Sequence, residues 1–237
     1  MTADVLLYLV SDVVLLEPVD NFVQEALACA RASADERPPR LRWKGIADKS
    51  KSVTLLQGTL QAFDPAFPQS HAKRLDRLGY EPETDDENSG FDVIWCQWCL
   101  GHLSDRDLVD FLKRSQRALR GRETGTGRSA IVVKENLCSD APDGGARTVF
   151  DEEDSSLTRY CPAPLEESVL IIECIFSRSD KAWKLIFAHA GLRLVRETVQ
   201  LGLPPGLYTV KAWVFQLPLK HWNGWLIGRI GMHLDKI

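Results

Sequence analysis

The sequence predicts an α/β fold, a doubly wound and largely parallel sheet that closes on an antiparallel hairpin, and three observations carry that expectation. Short apolar-rich runs at residues 13–16, 53–57, 91–95 and 130–133 have the length and density of strands covered on both faces. Amphipathic stretches of helical period stand between several of them, an alternation that builds parallel sheets. The last two strand-like segments, residues 192–200 and 208–216, flank Leu203-Pro204-Pro205-Gly206 and so pair as a terminal hairpin.

In chain order, Val13-Val14-Leu15-Leu16 runs into Glu17-Pro18, which ends a strand. Asp20 is placed to cap the helix that follows at residues 22–31, with Phe22, Ala26 and Cys29 or Ala30 on one face. Residues 32–52, rich in Pro, Arg and Lys, read as a loop before the strand at 53–57, and the acidic 79–90 stretch reads as a solvated loop. After the strand at 91–95, Ser104 and Asp107 have capping-box spacing and open a helix whose Leu108, Phe111, Leu112 and Leu119 share a side. Residues 121–127 form a Gly-rich linker, the strand at 130–133 gives way to a polar loop from Lys134, and Ser179 caps a helix with Trp183, Ile186, Phe187 and Ala190 inward and Gly191 as its stop.

A chain of 237 residues suits one large domain. Its net charge of -4 leaves no basic stripe for nucleic acid, so no nucleic-acid partner is expected. No apolar run reaches the ~18–20 residues of a membrane span, and the first residues lack a basic leader, so the expectation is a chain of cytosol or nucleus with no membrane partner. The six cysteines are scattered rather than arrayed as a disulfide scaffold. Cys96-x-x-Cys99 with His102 nearby lacks the second ligand pair a zinc site needs, so no metal is expected. Gly125-Thr126-Gly127 precedes a strand rather than a helix and is not a phosphate loop.

Chemistry concentrates at strand ends. Glu17 stands where an acidic side chain accepts hydrogen bonds from both hydroxyls of a ribose, although a turn glutamate on the surface looks the same. Phe91-Asp-Val-Ile-Trp-Cys-Gln-Trp-Cys-Leu-Gly-His-Leu-Ser-Asp105 passes from a buried strand directly into polar and aromatic residues, the signature of a site edge. This stretch resembles the alpha N-terminal protein methyltransferase family, and so do Val-Val-Lys-Glu-Asn136, the acidic Asp151-Glu-Glu-Asp154-Ser-Ser156 with Arg159, and Leu203-Pro204 with Tyr208. The resemblance covers most of residues 5–218.

What the resemblance implies is a Rossmann-like class I methyltransferase sheet with its terminal antiparallel hairpin. It implies S-adenosylmethionine as cofactor, protein N-terminal peptides of X-Pro-Lys type as substrate, and methyl transfer to the α-amine. By the same resemblance Glu17, Pro18 and Val19 lie beside the ribose, Leu60 and Gln61 flank the adenine, and Gln97 is a further cofactor contact. Trp98, Asn136, Asp151 and Tyr208 surround the peptide, and Asp154 and His102 are the candidates to take the amine proton.

The chain departs from the family pattern in three places. The family's upstream strand and Gly-rich turn would precede the helix that residues 4–10 resemble, so the expectation is a sheet lacking its first, central strand and a weakened hold on the cofactor. Residues 160–178 interrupt a join that is direct in the family, and the tail at 219–237 has no counterpart there. Residues 1–218 are thus expected to be a truncated methyltransferase domain, an inactive or incomplete form of the enzyme. The alternative is a non-catalytic peptide-binding relative. A nicotinamide oxidoreductase would use Glu17 equally well, but the hairpin and the Gln97-Trp98 edge speak against it.

Overall fold

The computed structural model describes residues 5–35, 43–81, 90–121, 129–151, 175–203 and 207–216. Asp154, the linker after Gly121, most of the 160–178 segment and the tail lie outside these residues.

The first half builds a small sheet. Strand β1 (Asp12–Glu17) leads into helix α1 (Asp20–Ala34) and then strand β2 (Ser52–Gln57), parallel to β1 with Asp12 opposite Ser52 and Glu17 opposite Gln57. A four-residue helix α2 (Pro68–His71) precedes strand β3 (Lys73–Gly79), which returns antiparallel to β2. Sequence reading found no element in 58–78, because β3, Lys-Arg-Leu-Asp-Arg-Leu-Gly, is polar and takes its order from the ladder to β2. Its last residue must be glycine: Gly79 has φ +97°, and an added Cβ would lie 2.0 Å from the Lys51 carbonyl oxygen.

Helix α1 begins two residues earlier than expected, and Asp20 does not cap it. The cap residue is Val19, while the Asp20 carboxylate accepts from Gln24 Nε2 at 3.4 Å and Gln57 Nε2 at 3.3 Å. The buried stripe is also rotated from the expected one, with Val23, Leu27, Ala30 and Ser33 inward and Phe22 half exposed. Leu27 and Ala30 pack with Leu7, Val13, Val53 and Leu55 into a core on one side of β1 and β2.

The second half builds a larger sheet around strand β5 (Ala130–Leu137). Strand β4 (Val93–Gln97) runs parallel to its first five residues, and strand β9 (Thr209–Gln216) runs antiparallel along all eight. Strand β8 (Arg193–Val199) pairs with β9 as the expected terminal hairpin. Strands β6 (Thr148–Asp151) and β7 (Ile175–Arg178) form an antiparallel pair joined to β5 at Leu137–Arg178. The polar loop expected from Lys134 is therefore strand as far as Leu137, since the β9 ladder extends that far.

Helices α3 (Asp105–Arg117) and α4 (Asp180–His189) cover one face of this sheet. Both start as expected: the Ser104 hydroxyl accepts from Asp107 N–H at 3.2 Å, and the Ser179 hydroxyl accepts from Ala182 N–H at 3.4 Å. Leu108, Phe111 and Leu112 of α3 and Trp183, Ile186 and Phe187 of α4 close over Ile131, Val133, Trp213 and Phe215. Asp180 fastens α4 to the hairpin, bonding Lys211 Nζ at 2.8 Å and Trp213 Nε1 at 3.2 Å. Burial alone would raise the Asp180 pKa, but hydrogen bonds from Lys184 and Lys211 outweigh it and hold the carboxyl below its ordinary value.

The two sheets share this core, because Leu56 of β2 is buried in it and Val14 and Leu16 of β1 pack against it. No described strand pairs with the second edge of β1 or bridges β1 to β4. Residue 178, expected to end a segment without family counterpart, is packed into the fold. Arg178 ends β7, is 1% exposed and is bonded to Leu103 and Asp105, so the interrupting segment finishes inside the fold.

Candidate functional site

The parallel pairs put the carboxyl ends of β1 and β2 together, and likewise those of β4 and β5. Because β9 is antiparallel to β5, its first residues, just after Tyr208, lie beside the last residues of β5. Glu17, Gln97, Asn136 and Tyr208 therefore all occur at strand ends where α/β sheets hold ligands.

Glu17 ends β1 and its Oε1 accepts from Val19 N–H at 2.9 Å, which fixes the carboxylate against the Pro18 turn. Leu60 and Gln61 follow β2 in a turn pinned from α3. Arg114 Nη2 donates to the Leu60 and Gln61 carbonyls at 2.9 and 3.0 Å, and its Nε donates to Phe63 at 2.9 Å. At the end of β4, Gln97 Oε1 accepts from Trp95 Nε1 at 3.1 Å, both side chains being on the same face of the strand.

Trp98 is one of two non-glycine residues with positive φ among the described residues, at +52°; the other, Lys49 at +55°, stands in the loop before β2. A non-glycine residue there costs about 1–2 kcal/mol, and such strain clusters at functional sites. Its indole is 50% exposed, with Lys134 Nζ 5.0 Å from the ring centroid. The turn is held by three consecutive amides. Trp98 N–H donates to the Lys134 carbonyl at 3.0 Å, and the N–H groups of Cys99 and Leu100 donate to Glu135 Oε1 at 3.0 and 2.9 Å.

Glu135 itself is 5% exposed, and burial pushes its carboxyl up to about 7 despite those two amides and the nearby Arg178. Sequence reading gave it no role. The signal was present in Ile131, Val133 and Glu135, which share one face of a strand and leave a carboxylate where the pattern asks for a hydrocarbon. The Cys99 thiol is pushed well up by its hydrogen bond with Cys96 and by burial, so it is a poor nucleophile. His102 follows in the same turn, and its buried Nδ1 has no hydrogen-bond partner among the described residues.

Asn136 is the next residue of β5 and points to the face opposite Glu135. Tyr208 is half exposed. Asp151 ends β6 opposite Ile175, and Asp154 lies outside the described residues. A cleft of about 460 Å³ between α3 and α4, lined by Asp105, Asp110, Lys113 and His189 among others, includes none of these candidates. Among the described residues no helix is long and apolar enough to cross a membrane.

An α/β sheet ending in an antiparallel hairpin, with an acid after β1 and an amide and indole after β4, has the layout of a Rossmann-like class I methyltransferase. Two solved methyltransferases share the fold: one from Leishmania major (TM-score 0.51, 22% identity, 86% of this chain and 55% of that one) and one from Methanosarcina mazei (0.50, 13%, 88% and 83%). The chain belongs to the AdoMet-dependent proline di-methyltransferase family, whose pattern matches residues 1–170.

Among its relatives, alpha N-terminal protein methyltransferase 1 of Arabidopsis thaliana is 29% identical over 89% of this chain and 53% of the relative. The protein of the same name from Schizosaccharomyces pombe is 28% identical over 89% and 64%. N-terminal Xaa-Pro-Lys N-methyltransferase 1 of Rattus norvegicus is 32% identical over 52% and 42%. The chain thus spans between half and two thirds of the length of the first two relatives.

Proposed function

We propose that this chain serves methyl transfer from S-adenosylmethionine to the α-amine of protein N-termini of X-Pro-Lys type. The observation that carries the reading is Trp98, a half-exposed indole held in a left-handed backbone conformation at the carboxyl end of β4. Membership of the family and the reactions after which its relatives are named support the reaction class.

The donor set suits the cofactor. The Glu17 carboxylate, held by Val19 N–H, accepts from ribose hydroxyls, and the turn of Leu60 and Gln61, pinned by Arg114, flanks the adenine. Gln97, its amide oxygen bonded to the Trp95 indole N–H, keeps an amide nitrogen to offer the cofactor. When bound, S-adenosylmethionine supplies a methyl group made electrophilic by its sulfonium.

On the peptide side, Trp98 is an apolar wall for the proline ring and Asn136 a donor to the first peptide carbonyl. Asp151 and Asp154 pair with the lysine ammonium, and Tyr208 closes the groove. An α-amine titrates near ~8 and attacks only when neutral, so a base must hold its proton. His102 and Asp154 take that role.

A second reading, a non-catalytic peptide-binding protein, is favoured by one feature: the cofactor residues Glu17 and Gln97 stand on strands of different sheets that no described strand joins. Calorimetric titration with S-adenosylhomocysteine, followed by mass spectrometry of an X-Pro-Lys peptide, separates the two. Cofactor binding with a +14 Da peptide series, one step per methyl group, supports the enzyme. Peptide binding without cofactor binding supports the second reading, and absence of both sinks the proposal.

A further inference from the structure

Glu135 stands in an unusual place. Its neighbours on the inward face of β5, Ile131 and Val133, are fully buried hydrocarbon, and a carboxylate beside them is costly to ionise. An apolar residue would fit the face better but would strand two buried amides, those of Cys99 and Leu100. Together with the Lys134 carbonyl, two successive residues of β5 receive three successive amides of the turn after β4. The first of those three amides belongs to Trp98, whose backbone is left-handed at φ +52°.

We propose that Glu135 is a positioning residue: by accepting from Cys99 and Leu100 N–H it sets the turn that holds the Trp98 indole outward at the peptide side of the site. The importance of that placement rests on the peptide-methylation reading, but the placement itself does not. Other charged groups near Glu135 have different duties. Arg178 bonds Leu103 and Asp105, and Lys211, opposite Glu135 on β9, pairs with Asp180 and Glu197.

The test labels the protein with 5-fluorotryptophan and identifies the Trp98 line among the seven tryptophans by Trp98→Phe. Glu135→Gln keeps a carbonyl acceptor and should leave every line in place. Glu135→Ala should move or broaden the Trp98 line while the core Trp183 and Trp213 lines stay. If the alanine variant does not fold, Glu135→Asp withdraws the acceptor by about one C–C bond, ~1.5 Å, and should move the same line. A folded alanine or aspartate variant with an unmoved Trp98 line, or with all lines moving together, overturns the proposal.

A second measurement, titration with an X-Pro-Lys peptide, should show about tenfold weaker binding for Glu135→Ala and near wild-type binding for Glu135→Gln. Equal affinities for alanine and wild type would overturn the role of the turn in the site. A wild-type protein that binds no peptide, with the Trp98 line still following Glu135, would uphold the positioning and remove the functional reading instead.

Discussion

The guanidinium of Arg178 donates from Nε and Nη2 to a single oxygen of Asp105, at 3.0 and 2.8 Å, and Nη2 also reaches the Leu103 carbonyl at 2.8 Å. The end of β7 is thereby locked to the start of α3. Arg178 closes the segment 160–178 that the sequence marked as an expected insertion, and it is among the largest fully buried side chains.

Where that segment is cut therefore decides the outcome. Removing residues 160–174 takes away the apolar Val169-Leu170-Ile171-Ile172 run and keeps β7, and should raise solubility with little change in thermal midpoint. Removing 160–178 should lower it sharply. Arg178→Met should cost about 2–3 kcal/mol in urea unfolding, less than a fully buried pair because Asp105 stays hydrated. Equal stability of the two deletions would show that β7 contributes nothing.

Glu135 gives the protein a pH dependence of definite sign. Its folded-state pKa is raised by burial to about 7, so the folded state holds a proton that the unfolded state releases near its ordinary value of 4.5. The contribution is fully present below 4.5 and is lost as pH rises through 7, at up to about 1.4 kcal/mol per unit. Wild type minus Glu135→Gln, measured by denaturant midpoints from pH 4 to 8, should slope downward across that window. A flat difference would show that the buried carboxyl is not strained.

At Trp98 the usual ranking of small residues should invert. Glycine adopts φ +52° without penalty whereas alanine does not, so Trp98→Gly should be more stable than Trp98→Ala by about 1 kcal/mol. Both should lose affinity for an X-Pro-Lys peptide. Thermal melts that place alanine above glycine would mean the turn relaxes once the indole is gone.

For the proton-holding role, Asp154→Asn and His102→Gln should each lower methylation turnover while leaving S-adenosylhomocysteine affinity within about twofold, with the aspartate the larger loss. Unchanged turnover in both variants places the base elsewhere.

Features written locally were legible in the sequence. Ser104 and Ser179 announce their helices because capping is a matter of three or four consecutive residues, and the edge at Gln97 and Trp98 shows where an apolar run turns polar, although β4 is buried only at Cys96. Features that depend on distant partners were not. The extension of β5 past Val133 needs the ladder to β9, β3 needs β2, and the stripe of α1 is chosen by the surface beneath it. The ordered set of strand-end residues was readable, whereas Glu135, whose purpose lies in amides 35 and 36 residues away, was not.

Strands β1 and β4 are each paired on one side among the described residues, by β2 and β5. Sheets keep such one-sided edges short, and these two are: β1 offers six residues and β4 five, about the length at which an added strand gains only a few ladder bonds.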